Sequence, residues 1–277
     1  MSVTLKTSPD VTVARALADT YRRLAGICEA LEVRVSEAPQ GGVTAAELAS
    51  DRDVLDAFVA AETARVRHRY ETAVRPDVAA SRALHDYAWS VGALMGGTWY
   101  LERRVPRIRP EDLRLDLTTG SYEITPGTEL ACLPDDALSA APGVLTLPQE
   151  DLLRTQLRIS LADHMRPLLA AIGPVARRRS RALWGMVEDD LVSAIWYLGR
   201  MLGEESEAIR AATEVLPMPV PPYPAGAGFR HLVGEDGRSH ATRTRTGCCM
   251  FYAIRPAEAC STCPRTCDQE RLRRLEE

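Results

Sequence analysis

The cysteines near the end of this 277-residue chain constrain its fold and chemistry more than any other feature. Cys248 and Cys249 are adjacent, ten residues follow, and Cys260 and Cys263 then form a C-x-x-C pair. Cys267 comes four residues later. Such clustering indicates metal or redox chemistry rather than a disulfide framework. Thiolates are soft ligands, which narrows the metal to an iron–sulfur cluster, zinc or cuprous copper.

The residues around these cysteines resemble a known signature. The spacing Cys-Cys-x10-Cys-x2-Cys is similar to the C-terminal motif of the FhuF family of ferric siderophore reductases. Arg243 and Arg245 precede the vicinal pair, Phe251-Tyr252 follow it, and Pro264 follows the last cysteine. Zinc fingers and plant-type ferredoxins use other spacings. Weaker similarities lie upstream, at Leu183-Trp184-Gly185 and at Trp99.

The resemblance implies a cofactor and a set of ligands. It assigns a [2Fe-2S] cluster to Cys248, Cys249, Cys260 and Cys263, with no catalytic residue beyond the cluster. Both cysteines of a vicinal pair reach one cluster only if the backbone bends, and Gly247 is a candidate for that bend. Cys267 is either a spare thiol or a replacement for one of the four ligands.

The resemblance also implies an oxidoreductase that acts on a ferric siderophore. We expect Arg243, Arg245 and Trp184 to contact that substrate. Neither Gly92–Gly97 nor Gly226–Gly228 has the spacing of a dinucleotide-binding fingerprint. The electron should therefore come from a separate donor, such as a ferredoxin, a flavodoxin or their reductase.

Three alternatives stay open at this stage. The same four thiolates can hold a structural zinc ion, which does no redox work. The chain can also be an iron–sulfur electron carrier rather than an enzyme, or a family member recruited to a biosynthetic pathway. The scattered histidines show no paired metal-ligand spacing, and none is predicted to be a ligand.

Composition excludes some classes of partner. The chain has 34 basic and 38 acidic side chains and a net charge of −4, which argues against nucleic acid as a partner. Residues 1–20 lack the apolar core of a signal peptide, and no stretch reaches eighteen apolar residues. We therefore expect a cytoplasmic protein without a membrane span, in which thiols stay reduced.

Periodicity predicts a helix-rich α+β fold, with a helical body, a small antiparallel sheet and a C-terminal cysteine lobe. Thr44–Glu47 has a capping-box pattern that predicts a helix start. The other predicted elements are helices at 10–35, 52–72, 77–103, 148–172 and 180–213, a three-stranded meander over 113–133, and a hairpin of 229–233 with 239–244.

The proline-rich stretch 217–224 cannot be regular helix or sheet and must be extended. It divides the chain into a siderophore-binding helix-rich domain, residues 1–225, and a [2Fe-2S]-binding lobe, residues 226–277. The alternative is a loop packed on one continuous domain. A lobe of that size cannot fold on apolar burial alone, so metal ligation should stabilise it.

Overall fold

A computed structural model describes residues 9–38 and 41–276. The segment 1–20, considered above for a leader, lies outside the described residues over positions 1–8. No helix among the described residues is long and apolar enough to cross a membrane.

Helices form most of the molecule. The α-helices of the described residues are α1 (Pro9–Ile27), α2 (Ala45–Ser50), α3 (Arg52–Tyr70), α4 (Pro76–Glu102), α5 (Glu150–Ala176), α6 (Ser180–Met201), α7 (Glu205–Val215) and α8 (Asp268–Glu276). The helix-rich α+β class is therefore confirmed.

The strands are short and pair into three small sheets. They are β1 (Val33–Val35), β2 (Val43–Thr44), β3 (Val105–Pro106), β4 (Leu113–Leu115), β5 (Tyr122–Ile124), β6 (Leu130–Cys132), β7 (Val144–Thr146), β8 (Phe229–Val233) and β9 (Ser239–Arg243). Their orders are β1-β5-β4-β2, β3-β6-β7 and β8-β9. The first two sheets are mixed, because β1 runs parallel to β5 and β6 runs parallel to β7.

The centre of the fold is the contact between α4 and α6. Nineteen of the 27 residues of α4 are buried, so this helix is apolar on nearly every side. Gly92 and Gly96 let the two helices approach closely: a Cβ at Gly92 would lie 3.1 Å from the Cα of Leu191. Trp99 is fully buried near the end of α4, and α3, α5 and α7 pack around the central pair.

Several predicted elements are confirmed. The Thr44 side chain accepts from the Glu47 amide while the Glu47 carboxylate accepts from the Thr44 amide, which completes the capping box of α2. The hairpin β8-β9 pairs Phe229 with Arg243 and Val233 with Ser239, as its sequence pattern indicates. Cys28 and Cys132, which lie outside the C-terminal cluster of cysteines, are both buried.

Three predictions were wrong in detail. The first predicted helix ends at Ile27, and Val33–Val35 instead forms β1, where its β-branched side chains suit a strand. The predicted helix 180–213 is two helices, because Gly203 adopts a left-handed φ of 74° and lets α7 fold back on α6. The predicted meander has two strands, since β6 leaves β5 and pairs with β3 and β7.

The C-terminal lobe packs directly on the helical body. The hairpin β8-β9 passes the chain to two 3₁₀ turns, Phe251–Ala253 and Pro256–Glu258, and then to α8. The first turn contacts α4. Ile254 forms a small apolar cluster with Val66 of α3 and Val78 of α4. The position of this lobe is therefore fixed by side chains from α3, α4 and α6.

Two glycine-to-alanine substitutions test the α4–α6 contact. Gly92→Ala should lower the free energy of unfolding by about 1–3 kcal/mol, because the new methyl group meets the backbone of Leu191 and forces the helices apart. Gly26→Ala in α1 is the matched control, since its Cβ would have no neighbour within 4 Å. That variant should gain up to about 1 kcal/mol from helix propensity. Equal effects in chemical denaturation would contradict the close-packing argument.

Candidate metal centre

Four thiols line one small cavity in the C-terminal lobe. They belong to Cys248, Cys249, Cys260 and Cys263, and Pro264 also lines the cavity. Cys249 and Cys263 are buried, whereas Cys248 and Cys260 are half-buried. The cavity therefore has a protein-facing side and a side nearer solvent. Cys267, in contrast, is exposed just before α8.

The backbone around the vicinal cysteines is shaped by close approach to α6. A Cβ at Gly247 would lie 2.5 Å from the Met186 amide nitrogen, so only glycine fits there. The left-handed residue is Met250, with a φ of 64°, and not Gly247 as the sequence suggested. The bend that turns Cys248 and Cys249 toward the cavity is thus made after the pair, where the Phe251–Ala253 turn begins.

Buried ion pairs anchor the segment that leads into the vicinal cysteines to α6, and we call this set of pairs the ion-pair array. The Arg243 guanidinium donates to Asp189, with its Nε also donating to the Ala227 carbonyl at 2.8 Å. The Arg245 guanidinium donates to Asp190. Asp189 additionally accepts from the Gly247 amide, next to the first cysteine of the pair. Every one of these charged groups is less than one-tenth exposed.

The negative charge of the α6 carboxylates is limited by protonation as well as by ion pairing. Three consecutive carboxylates, Glu188, Asp189 and Asp190, are fully buried opposite two arginines. Burial raises the pKa of Glu188 to about 7, although the Ala225 amide donates to its carboxylate at 2.8 Å and opposes the shift. His85 supports Asp190 through an Nδ1 to Oδ1 contact of 2.8 Å. Excess negative charge is thereby limited near neutral pH.

Three arginines surround the thiols. Arg82 of α4 interacts electrostatically with the Cys249 side chain, and it also pairs with Asp86 at 2.8 Å. Arg245 interacts in the same way with Cys249 and Cys260. Arg178 donates to the Cys248 carbonyl at 3.4 Å. Cationic side chains next to a thiolate site stabilise its negative charge.

The residues present fit an iron–sulfur cluster. All four donors are sulfur, and burial raises the pKa of the Cys248 and Cys260 thiols, so binding a metal would release protons. A tetrahedral zinc site with Zn–S bonds of about 2.3 Å places its sulfurs roughly 3.8 Å apart. Among the described residues, the donor atoms that gather within 4.8 Å of one another in a set of three are those of Asp236, His240 and Glu276. Among the described residues, no three of the four thiols form such a set, which is compatible with ligands divided between two irons.

The predicted substrate residues occupy different environments. Arg243 and Arg245 are held inside the ion-pair array and do not face open solvent. Trp184 is 7 % exposed, packs edge-on against Tyr223 and lies 5.8 Å from it between ring centroids. The Arg166 guanidinium lies 5.7 Å from the Trp184 ring. The Trp184 side chain therefore packs against its neighbours and does not project into solvent.

Sequence reasoning missed the residues that support the centre. These are the three α6 carboxylates, His85, Arg82 and Arg178. One signal was available in the sequence. The acidic run Glu188-Asp189-Asp190 lies between two apolar stretches of a predicted helix, and carboxylates buried in such a helix need cationic partners. The alternating arginines at 243 and 245 supply them. Arg82 and Arg178 carried no such signal, since only the fold brings them to the cysteines.

The fold and the thiol cavity define a helix-rich protein whose C-terminal lobe holds a cysteine-ligated cofactor. Residues 245–265 match the family model of the FhuF 2Fe-2S C-terminal domain. The four cysteines fit that domain's motif, which indicates a [2Fe-2S] cluster as the cofactor. No curated protein matches the chain. The family match thus covers the cysteine segment, and the helical body is described by its own structure.

The ion-pair array predicts a large effect of neutralising one aspartate. Asp189→Asn should cost about 3–5 kcal/mol of unfolding free energy, because Arg243 loses its buried counter-charge. The cluster's visible absorption should weaken in parallel, since Asp189 also holds Gly247. Asp19→Asn breaks an exposed pair with Arg22 and is the control. A wild-type melting curve and spectrum for Asp189→Asn would show that the array does not anchor the lobe.

Proposed function

We propose that this protein is a cytoplasmic ferric-siderophore reductase that uses its [2Fe-2S] cluster to pass one electron to chelated ferric iron. The observation that carries the proposal is the single cavity lined by four thiols, inside the segment that matches the FhuF 2Fe-2S domain. Siderophores hold the hard ferric ion far better than the ferrous ion, so a one-electron reduction releases the metal.

The cysteines have unequal roles in this proposal. Cys249 and Cys263 face the protein interior and exclude water from one side of the site. Cys248 and Cys260 are half-buried and form the side from which an electron leaves. We propose these four as the ligands, with Cys267 as a spare thiol, because the first four line the cavity and Cys267 is exposed.

The surrounding arginines favour acceptance of an electron. A cluster with four thiolate ligands gains negative charge on reduction, and nearby cations stabilise that charge. Arg82 and Arg245 both interact with the Cys249 side chain from buried or half-buried positions. Low local dielectric strengthens these interactions relative to a solvent-exposed site. The helical body thus contributes to the redox properties of the lobe.

Electron supply is assigned to a separate protein. The chain carries no glycine-rich dinucleotide fingerprint, so NAD(P)H alone should not reduce it. A ferredoxin, a flavodoxin or their reductase supplies one electron per cycle in this proposal. The balance is then one electron in from the donor and one electron out to ferric iron, with the ferrous product leaving the siderophore.

The second candidate is an electron carrier without its own substrate. A family member recruited to a biosynthetic pathway belongs with this candidate. It shares the cluster and the ligands with the reductase. What distinguishes the two is whether a ferric chelate accepts the electron. A zinc-stabilised binding module is the third candidate, and metal analysis separates it from both.

Cluster content and ligand identity can be measured together. Protein purified without oxygen should contain two irons and two labile sulfides per chain, as a [2Fe-2S] cluster requires. Replacing Cys248, Cys249, Cys260 or Cys263 by Ser should bleach the visible absorption. Cys267→Ser, Cys28→Ser and Cys132→Ser are controls that should retain it. Stoichiometric zinc without sulfide would contradict the cluster, and bleaching by Cys267→Ser would reassign a ligand.

The contribution of Arg82 is measurable as a potential. Arg82→Gln should lower the cluster's reduction potential by tens of millivolts, because about 1 kcal/mol of lost charge stabilisation equals roughly 40–45 mV for one electron. Arg22→Gln on α1 also removes an arginine with an acidic helix partner, and it should leave the potential unchanged. If redox titration gives equal potentials for wild type and Arg82→Gln, Arg82 has no electrostatic role at the centre.

The reductase activity has a direct assay. Dithionite-reduced protein, freed of excess reductant, should be reoxidised by ferric siderophores in anaerobic stopped-flow measurements. A ferrous chelator should detect one ferrous ion per electron lost. An intact, reducible cluster that transfers no electron to hydroxamate, catecholate or carboxylate chelates would rule out the reductase and favour the carrier.

A further inference from the structure

A second cavity lies beside the metal centre, at the corner where α5 turns into α6. Its volume is about 620 Å³, within the range of small-molecule sites. Its charged lining is formed by Arg166, Arg177, Arg178 and Arg179, and Trp184 forms part of its wall. Among the described residues, no carboxylate lines it. We refer to it as the arginine cavity.

Other large cavities of the molecule have a mixed charge. The cavity between α3 and the Phe251 turn includes Glu62 and Asp86 beside its arginines. The cavity near β1 and β4 includes Glu32, Asp116 and Glu123. In both, carboxylates compensate the basic side chains. The arginine cavity differs because no carboxylate of the described residues lines it beside its four arginines.

Three of the four arginines of this cavity lack a close counter-charge among the described residues. Over residues 9–38 and 41–276, no carboxylate lies within ion-pair distance of Arg177, Arg178 or Arg179. Arg166 has an exposed partner 4.0 Å away. Asp77 interacts with Arg177 at longer range but is already paired with Arg75. Like charges gathered without partners repel one another, and a bound anion relieves that repulsion.

The arginine cavity is connected to the thiols by one side chain. Arg178 lines it and also donates to the Cys248 carbonyl at 3.4 Å. Trp184 lines it, and the next residue, Gly185, packs on Thr246 and Gly247. Arg178 thus links this cavity to Cys248, which is one of the two half-buried thiols.

We propose that the arginine cavity binds the ferric chelate and selects polyanionic chelates, of the catecholate or carboxylate type, over neutral hydroxamates. This inference rests on the proposed function and adds its substrate class. Guanidinium groups pair with catecholate and carboxylate oxygens through charge-assisted, often bidentate hydrogen bonds. Arg177 and Arg179 attract and hold the anion, and Arg178 contacts the chelate beside Cys248.

Binding can be measured apart from electron transfer by using gallium(III) chelates, which mimic the ferric complexes but are not reduced. Calorimetry should show that holoprotein binds a gallium tris-catecholate more tightly than a neutral gallium trihydroxamate, with affinity falling as salt rises. The Arg177→Gln/Arg179→Gln variant should weaken catecholate binding by about tenfold or more and leave hydroxamate binding unchanged. It spares Arg178, so its visible spectrum should match wild type.

Two further variants control for charge and folding. Arg15→Gln/Arg23→Gln makes the same charge change on exposed positions of α1 and should bind catecholate like wild type. Arg177→Lys/Arg179→Lys keeps the charge and should retain most of the affinity. Unchanged catecholate affinity in Arg177→Gln/Arg179→Gln would overturn the proposal. Equal weakening by the α1 variant would also overturn it, since overall charge would then explain binding.

The same proteins separate this inference from the proposed function. Reoxidation by a ferric tris-catecholate should slow in Arg177→Gln/Arg179→Gln, while reoxidation by a ferric trihydroxamate should not. If gallium catecholate binding depends on these arginines but no ferric chelate accepts an electron, the cavity is correctly assigned and the reductase proposal fails. If ferric chelates are reduced but catecholate binding ignores Arg177 and Arg179, the reductase stands and the cavity assignment fails.

Discussion

The buried charge array between α6 and the end of β9 is the interaction on which the rest of the C-terminal structure depends. Arg243 and Arg245 lie two residues apart on an extended segment. They pair with Asp189 and Asp190, which lie on α6, a helix that is otherwise apolar. Removing two ions from water is costly, so such pairs define an arrangement more than they add net stability. The array fixes the register in which the cysteine segment meets the helical body.

Electrostatics also organises the two sides of the metal centre. On the α6 side, the buried carboxylates are offset by arginines and by the raised pKa of Glu188, and His85 contacts Asp190. Near Cys248, the arginine cavity gathers four arginines, and no carboxylate of the described residues lines it. A cofactor that gains negative charge on reduction therefore has balanced buried charges on the α6 side and, through Arg178, a neighbouring group of arginines. This asymmetry favours approach of anions from one direction.

The sequence predicted the chemistry of the site better than its surroundings. Four cysteines at a fixed spacing predict a [2Fe-2S] cluster without reference to the fold. Strong helical periodicity predicted α3, α4 and α5 to within a few residues of their bounds. The array of Arg243 with Asp189 spans about fifty positions and depends on tertiary packing that no local pattern encodes. The prediction of strand pairing was wrong for the same reason, because the pairing of β6 with β3 and β7 depends on tertiary structure.

The contact between Gly247 and Met186 has a consequence for modularity. The stretch 245–265 looks like a self-contained unit, yet its first residues are held by contacts to α6 that lie 55 and 58 positions earlier in the chain. If the stretch 245–265 were moved onto another protein, Arg245 would lack its partner Asp190, and Gly247 would lack the Met186 backbone against which it packs. A protein engineer who wished to move this centre would have to transfer α6 together with the cysteines.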